Sequence, residues 1–107
     1  MAWIFLFAAG LLEVVWAYFM KQSAGFTRLW PSVATLAFMG VSFALLSVSM
    51  KTLPMGVAYT VWTGIGAVGA LLVGWLVLGE RLAPLQVVAG VLIVSGLVLM
   101  RLSSTQS

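Results

Sequence analysis

Charged residues divide the chain into four long apolar runs. Glu13, Lys21, Arg28, Lys51, Glu80, Arg81 and Arg101 are the charged positions, and residues 29–50, 52–79 and 82–100 contain none. Residues 1–20 are also uncharged apart from Glu13. A helix needs about 20 predominantly apolar residues to cross the hydrocarbon core of a bilayer. Each run meets that length, and almost nothing is left over. The pattern predicts helices over about residues 2–20, 31–50, 57–78 and 84–100. Turn-forming residues separate them: Ser23, Gly25 and Thr27, then Pro54 and Gly56, then Gly79. Pro31 and Pro84 fall where the second and fourth helices open, a first-turn position that suits proline. With no linker and only a short polar tail from Ser103, residues 1–107 read as one four-helix transmembrane domain.

Composition agrees and narrows the class. Hydrophobic residues make up 64% of the chain and charged ones 7%, against roughly a quarter charged in a soluble domain. Such a chain lacks the polar surface to face water, so the surplus must face the lipid bilayer. An all-α integral membrane protein follows. There is no cysteine and no histidine, which removes a disulfide framework and makes a protein-held metal very hard to build. No cofactor and no nucleic acid partner are expected. A cleaved leader is not expected either, because no basic residue precedes the first run and a carboxylate interrupts it. No nucleophile, base and orienting group stand together, so the chain does not read as an enzyme.

Positive charge is almost evenly split between the two membrane sides. With an even number of spans, Lys51 and Arg101 share one side, while Lys21, Arg28 and Arg81 lie on the other. Basic residues in short loops set orientation, and two against three is a weak bias. Two readings stay open: the termini face outward, or copies insert in both orientations.

The chemistry centres on Glu13. A carboxylate near the middle of a spanning helix costs roughly 2.5–3.5 kcal/mol on insertion scales. Every Lys and Arg lies at a membrane boundary, so no cation on the chain is placed to neutralise it. Such a group can hold a proton, or release it and hold a cation; the plainer reading is a protonated side chain bonded to a neighbouring helix. On its helix face Glu13 is joined by Leu6, Gly10, Trp16, Ala17 and Met20. Gly10 and Ala17 leave room, and Trp16 offers an aromatic face and an N–H. Trp3, Trp30 and Trp75 suit interfacial anchors; Trp16 and Trp62 lie too deep for that role. In the third helix Tyr59, Trp62, Gly66, Gly69 and Val73 follow at alternating spacings of three and four, which makes one stripe. Its aromatics suit cation–π contact and hydrogen bonding. Gly64, Gly66 and Gly69 suit either a hinge or close helix approach. Ser42 in the second helix either bonds its own backbone or donates to the Glu13 carboxylate. In the fourth helix Ala89, Ser95 and Gly96 form a small-residue seam suited to association with another copy. One protomer is too thin to enclose a pathway. A dimer would bring two Glu13 side chains to one chamber, where they would titrate as a coupled pair.

Taken together these residues resemble the small multidrug resistance transporters over essentially the whole chain. The resemblance rests on four helices in this length, Glu13 in the first, and the run Ala58-Tyr59-Thr60-Val61-Trp62-Thr63-Gly64-Ile65-Gly66-Ala67-Val68-Gly69. Within that family Glu13-Val14-Val15-Trp16, Lys51-Thr52-Leu53-Pro54 and Trp62-Thr63-Gly64-Ile65-Gly66 match the guanidinium-exporter subtype. The quaternary-ammonium branch typically carries Gly-Thr after its Glu-Val, Trp-Ser-Gly-Val-Gly in the third helix, and Tyr where this chain has Met39. Val57 and Thr60 depart from residues usual in the subtype, and Ala89 replaces a glycine found in other members.

The resemblance implies an antiparallel, dual-topology homodimer in the bacterial inner membrane, exchanging protons for a cation by alternating access. It implies that Glu13 binds substrate or proton, with Trp16, Ser42, Tyr59, Trp62 and Gly10 around it. It further implies a bend at Gly64 and Gly66 and a dimer seam on the fourth helix. The expected function is proton-coupled export of guanidinium and small substituted guanidinium cations. Guanidinium suits a carboxylate through its planar fork of donors, and aromatic faces through its charge. The alternatives are an exporter of bulkier quaternary ammonium cations and, in another class, a structural membrane subunit that transports nothing.

Overall fold

The computed structural model describes residues 2–104, which form four helices in sequence. They are α1 (Ala2–Gln22), α2 (Leu29–Ser49), α3 (Met55–Leu76) and α4 (Pro84–Ser104). At 1.5 Å per residue each is about 30 Å long, the thickness of a bilayer's hydrocarbon core. All four are long and apolar enough to cross a membrane.

The helix ends differ from the sequence expectation for local reasons. α2 opens at Leu29 because Arg28, extended at φ −101° and ψ 130°, serves as its N-cap. Pro31 therefore falls inside the first turn, where its missing N–H has no intrahelical partner to lose. α3 opens directly after Pro54 and closes at Leu76, ahead of Leu78. There Gly79, at φ 71°, turns the chain so that the Glu80 N–H bonds the Gly74 carbonyl at 2.9 Å. α4 continues past Met100 through Arg101, whose positive charge complements the carbonyl end of the helix.

The bundle is a slab of 45 × 34 × 16 Å rather than a closed four-helix barrel. α1 runs through its middle, packing extensively on α2 and then on α3, while α2 and α3 barely meet. α4 packs along α3 and reaches α1 through its end, where Arg101 lies over Trp3. The buried core draws Leu6 and Ala9 from α1, Leu46 from α2, and Ala58, Val61 and Trp62 from α3. No described side chain of α4 is buried. Lipid tails are as apolar as leucine, so apolar burial does little to hold these helices together. Close packing at small residues and hydrogen bonds between helices must do it instead.

A tight loop joins α1 to α2. Ser23 is fully buried, donates to the Met20 carbonyl at 2.6 Å and accepts from the Phe26 N–H at 3.1 Å. Its carbonyl also accepts from the N–H groups of Thr27 and Arg28. Between those ties Ala24, Gly25 and Phe26 all take left-handed conformations, at φ 51°, 77° and 65°. Across the same membrane boundary Lys21 pairs with Glu80 at 3.2 Å, both groups being well exposed.

Candidate functional site

Glu13 faces α3, and glycine is what lets it fit. A Cβ built at Gly66 would overlap the Glu13 carboxylate and lie 2.9 Å from its Cγ. One turn away on either side the same close approach recurs. A Cβ at Gly10 would sit 2.7 Å from Ile65 Cγ2, and one at Gly69 would overlap the Val14 side chain. Three glycines thus let the backbones of α1 and α3 close around the carboxylate. The glycine stripe seen in the sequence serves close packing here, with α3 running as an unbroken helix through it.

The carboxylate is held without being neutralised. Its Oε1 is buried and has no hydrogen-bond partner, and the same is true of the Trp16 indole nitrogen. Both are polar atoms whose bonding capacity the protomer leaves unused. An unsatisfied buried donor or acceptor costs about 1–3 kcal/mol, so a pair of them near one position marks a place built for something other than stability.

Around this pair the polar network differs from the sequence expectation. Ser42 is fully buried and donates neither to its own helix nor to Glu13; its hydroxyl donates to the Ala9 carbonyl on α1 at 2.7 Å. The Trp62 indole N–H in turn donates to the Ser42 hydroxyl at 3.0 Å, so it is committed to Ser42 and not to the carboxylate. Ser42 is therefore a three-helix junction, tying α2 to α1 and α3 to α2.

An aromatic arc completes the site. Trp16 meets Phe43 edge-on at 6.4 Å between ring centroids, Phe43 meets Trp62 at 5.6 Å, and Trp62 meets Tyr59 at 5.7 Å. The sequence reading passed over Phe43. Its signal was its position beside Ser42 and one turn beyond Met39, on a face not assigned to the site. Tyr59 stands at the outer end of the arc and is more than half exposed.

The structure thus gathers Glu13, Gly10, Trp16, Ser42 and Trp62 inside α1–α3, with Tyr59 at the rim. Gly64 stands apart from Gly66: it faces α4, where a Cβ would meet Leu97 Cδ2 at 2.6 Å. Ala89, Ser95 and Gly96 lie on the exposed surface of α4. The Ser95 hydroxyl bonds the Val91 carbonyl of its own helix at 2.9 Å. An exposed hydroxyl in hydrocarbon has no nearer acceptor.

Comparison with known proteins places this arrangement. A family model described as "Small Multidrug Resistance protein" matches residues 1–94. The chain belongs to the small multidrug resistance family. With its four apolar spans, it is a multi-pass membrane protein. Among its relatives, a protein of Citrobacter freundii named guanidinium exporter is 56% identical over 104 residues, covering 97% of this chain and 99% of that protein. A guanidinium exporter of Escherichia coli (strain K12) is 54% identical over the same span and shares.

Proposed function

We propose that this small multidrug resistance protein exports guanidinium and small substituted guanidinium cations in exchange for protons. The observation that carries it is the Glu13 carboxylate: one oxygen buried without a partner, set against glycine and next to an indole N–H that is also unpaired. A cation or a proton satisfies that oxygen, and one carboxylate serves only one of them at a time. Exclusion of one by the other is the coupling. The names of the relatives supply the cation, and the chemistry fits it. Guanidinium presents a planar fork of N–H donors to a carboxylate edge and sheds its hydration more readily than an ammonium ion does. Its faces suit the rings of Trp16 and Trp62. The committed hydrogen bonds of Ser42 and Trp62 hold the aromatic wall in place while the carboxylate changes ligand.

The functional unit in this reading is an antiparallel homodimer in the inner membrane, inserted in both orientations and alternating its access. Support comes from the slab shape, whose 16 Å thickness cannot enclose a pathway, and from the nearly even split of basic residues, two against three, between the two sides. The exposed Ala89, Ser95 and Gly96 suit the dimer seam on α4, and Gly64 and Gly66 suit a hinge because glycine gives a helix its weakest turns.

The test is proton flux in proteoliposomes driven by an imposed guanidinium gradient. Wild type should move protons, and Glu13→Gln should not. A structural subunit would survive that near-isosteric change and move nothing in either form. If quaternary ammonium gradients drive protons and guanidinium gradients do not, the cation assigned here is wrong.

A further inference from the structure

α4 leaves two grooves against the rest of the protomer, and their chemistry differs. The groove shared with α3 is about 440 Å³ and carries the hydroxyl-bearing Tyr59, Thr60 and Thr63, of which Tyr59 also stands at the rim of the Glu13 site. The groove toward α1 is about 250 Å³. Trp3, Phe7, Val61, Val94 and Val98 line it with apolar surface, and Arg101 supplies its one charge.

We propose that the α1–α4 groove binds an anionic phospholipid, with the phosphate on Arg101 and an acyl chain along Val98 and Val94. The groove has a direction. Arg101 and Leu102 stand near the end of α4 and Trp3 near the start of α1, so all three share one membrane boundary. Val94 lies seven residues back from Arg101 along α4, about 10 Å deeper into the hydrocarbon at 1.5 Å per residue. A charged mouth at headgroup level and an apolar floor running inward match the two ends of a phospholipid.

The sign of the charge selects the lipid. Among the described residues the Arg101 guanidinium makes no ion pair; it lies over the Trp3 ring, 4.7 Å from the centroid. A guanidinium over an aromatic face keeps its N–H edge for other partners, and that edge is what grips phosphate oxygens in pairs. A basic group between spanning helices at headgroup level is a recurrent anionic-lipid feature. The same charge repels a guanidinium-type cation, so the groove is no side entrance for the cargo. Trp3, an aromatic at the interface, suits the glycerol level of the lipid.

The full-length protein should be equilibrated in vesicles of equal phosphatidylglycerol and phosphatidylcholine, extracted in detergent, and the retained lipid measured by mass spectrometry. Wild type should retain phosphatidylglycerol over phosphatidylcholine by roughly fivefold, the ratio expected of one basic residue at an anionic surface. Arg101→Gln should bring the ratio close to one. Arg101→Lys should keep part of the preference, and Val98→Trp should lower retention of both lipids by filling the floor. Inorganic phosphate in excess should not displace the lipid, because it lacks the chain. Equal retention of the two lipids by wild type overturns the proposal, as does an unchanged preference in Arg101→Gln. Displacement by phosphate alone reduces the site to an anion contact and also overturns it. So does efficient cross-linking between protomers through Val98→Cys, which would put a second copy in the groove.

Discussion

α3 carries a glycine toward each of its two neighbours, and the two seams are built differently. Toward α1, Gly66 receives a carboxylate and Gly69 a valine, while Ile65 fills the space at Gly10 on α1. Hydrogen bonds through Ser42 lock the same region across three helices. Toward α4, Gly64 receives only the Leu97 side chain, and no hydrogen bond crosses among the described residues. One seam fixes polar atoms at defined positions in a medium where few forces hold helices together. The other is apolar throughout, with Leu97 on Gly64 and Leu71 near Gly90, and leaves most of α4 uncovered. Rigidity is concentrated around the Glu13 carboxylate, and the helix whose outer face is proposed for other work is lightly attached.

The contrast is most sharply broken at Gly66. Gly66→Ala places a methyl where the Glu13 carboxylate lies, and the carboxylate must move. The expected result is a folded protein whose guanidinium KM rises about tenfold, the effect of about 1.4 kcal/mol of lost binding. Transport assays at matched expression would show it; an unchanged KM would mean the carboxylate does not work from this position. Next comes Ser42→Ala, which strands the Trp62 N–H and removes the tie from α2 to the Ala9 carbonyl, itself still bonded within α1. Hydrogen bonds between membrane helices average about 0.6 kcal/mol and reach about 1.7, and a loss toward the upper end is expected in unfolding titrations in micelles. The same substitution at Ser95, whose hydroxyl serves only its own helix, should cost almost nothing.

Smaller again is Gly64→Ala, which presses on Leu97. Because Leu97 is a flexible side chain at an open seam, it should yield, and Gly64→Ala with Leu97→Ala should recover most of any loss in a double-mutant cycle. If Gly64→Ala proves as damaging as Gly66→Ala, the two seams are not different in kind. The smallest effect should follow Lys21→Gln. Its ion pair with Glu80 is exposed, and such pairs are worth less than about 1 kcal/mol and fade with salt. Acidification supplies a further check on the site itself. In the proposed exchange protons and guanidinium compete for one carboxylate, so the apparent KM should climb as pH falls while the maximal binding capacity stays constant.

Much of this was legible before any coordinates. Charge spacing delimited four spans, and a single mid-span carboxylate singled out the candidate site, because both depend on the cost of charge in hydrocarbon and not on packing detail. Ser42 shows where legibility stopped. Its partner is the Ala9 carbonyl, a backbone group that every residue possesses and no sequence singles out. Gly64 and Gly66 were grouped by proximity in the chain. Two residues apart on a helix, however, point about 200° from one another at 3.6 residues per turn, and their partners turn out to be α4 and α1. Phe43 was missed because its face was not assigned to the site, although its ring closes the arc between Trp16 and Trp62.

The loop after α1 bears on how this chain tolerates change. Around Gly25 nothing lies within 4 Å of an added Cβ, so a larger side chain there meets no obstacle in space. Its φ of 77° is another matter, since a side chain in that region is strained whatever room surrounds it. Length is restricted as well. The Ser23 carbonyl holds both Thr27 and Arg28, so one inserted residue would leave those N–H groups without their acceptor. Surface turns usually absorb insertions and side-chain drift with ease. This one has open space around it and very little freedom within it.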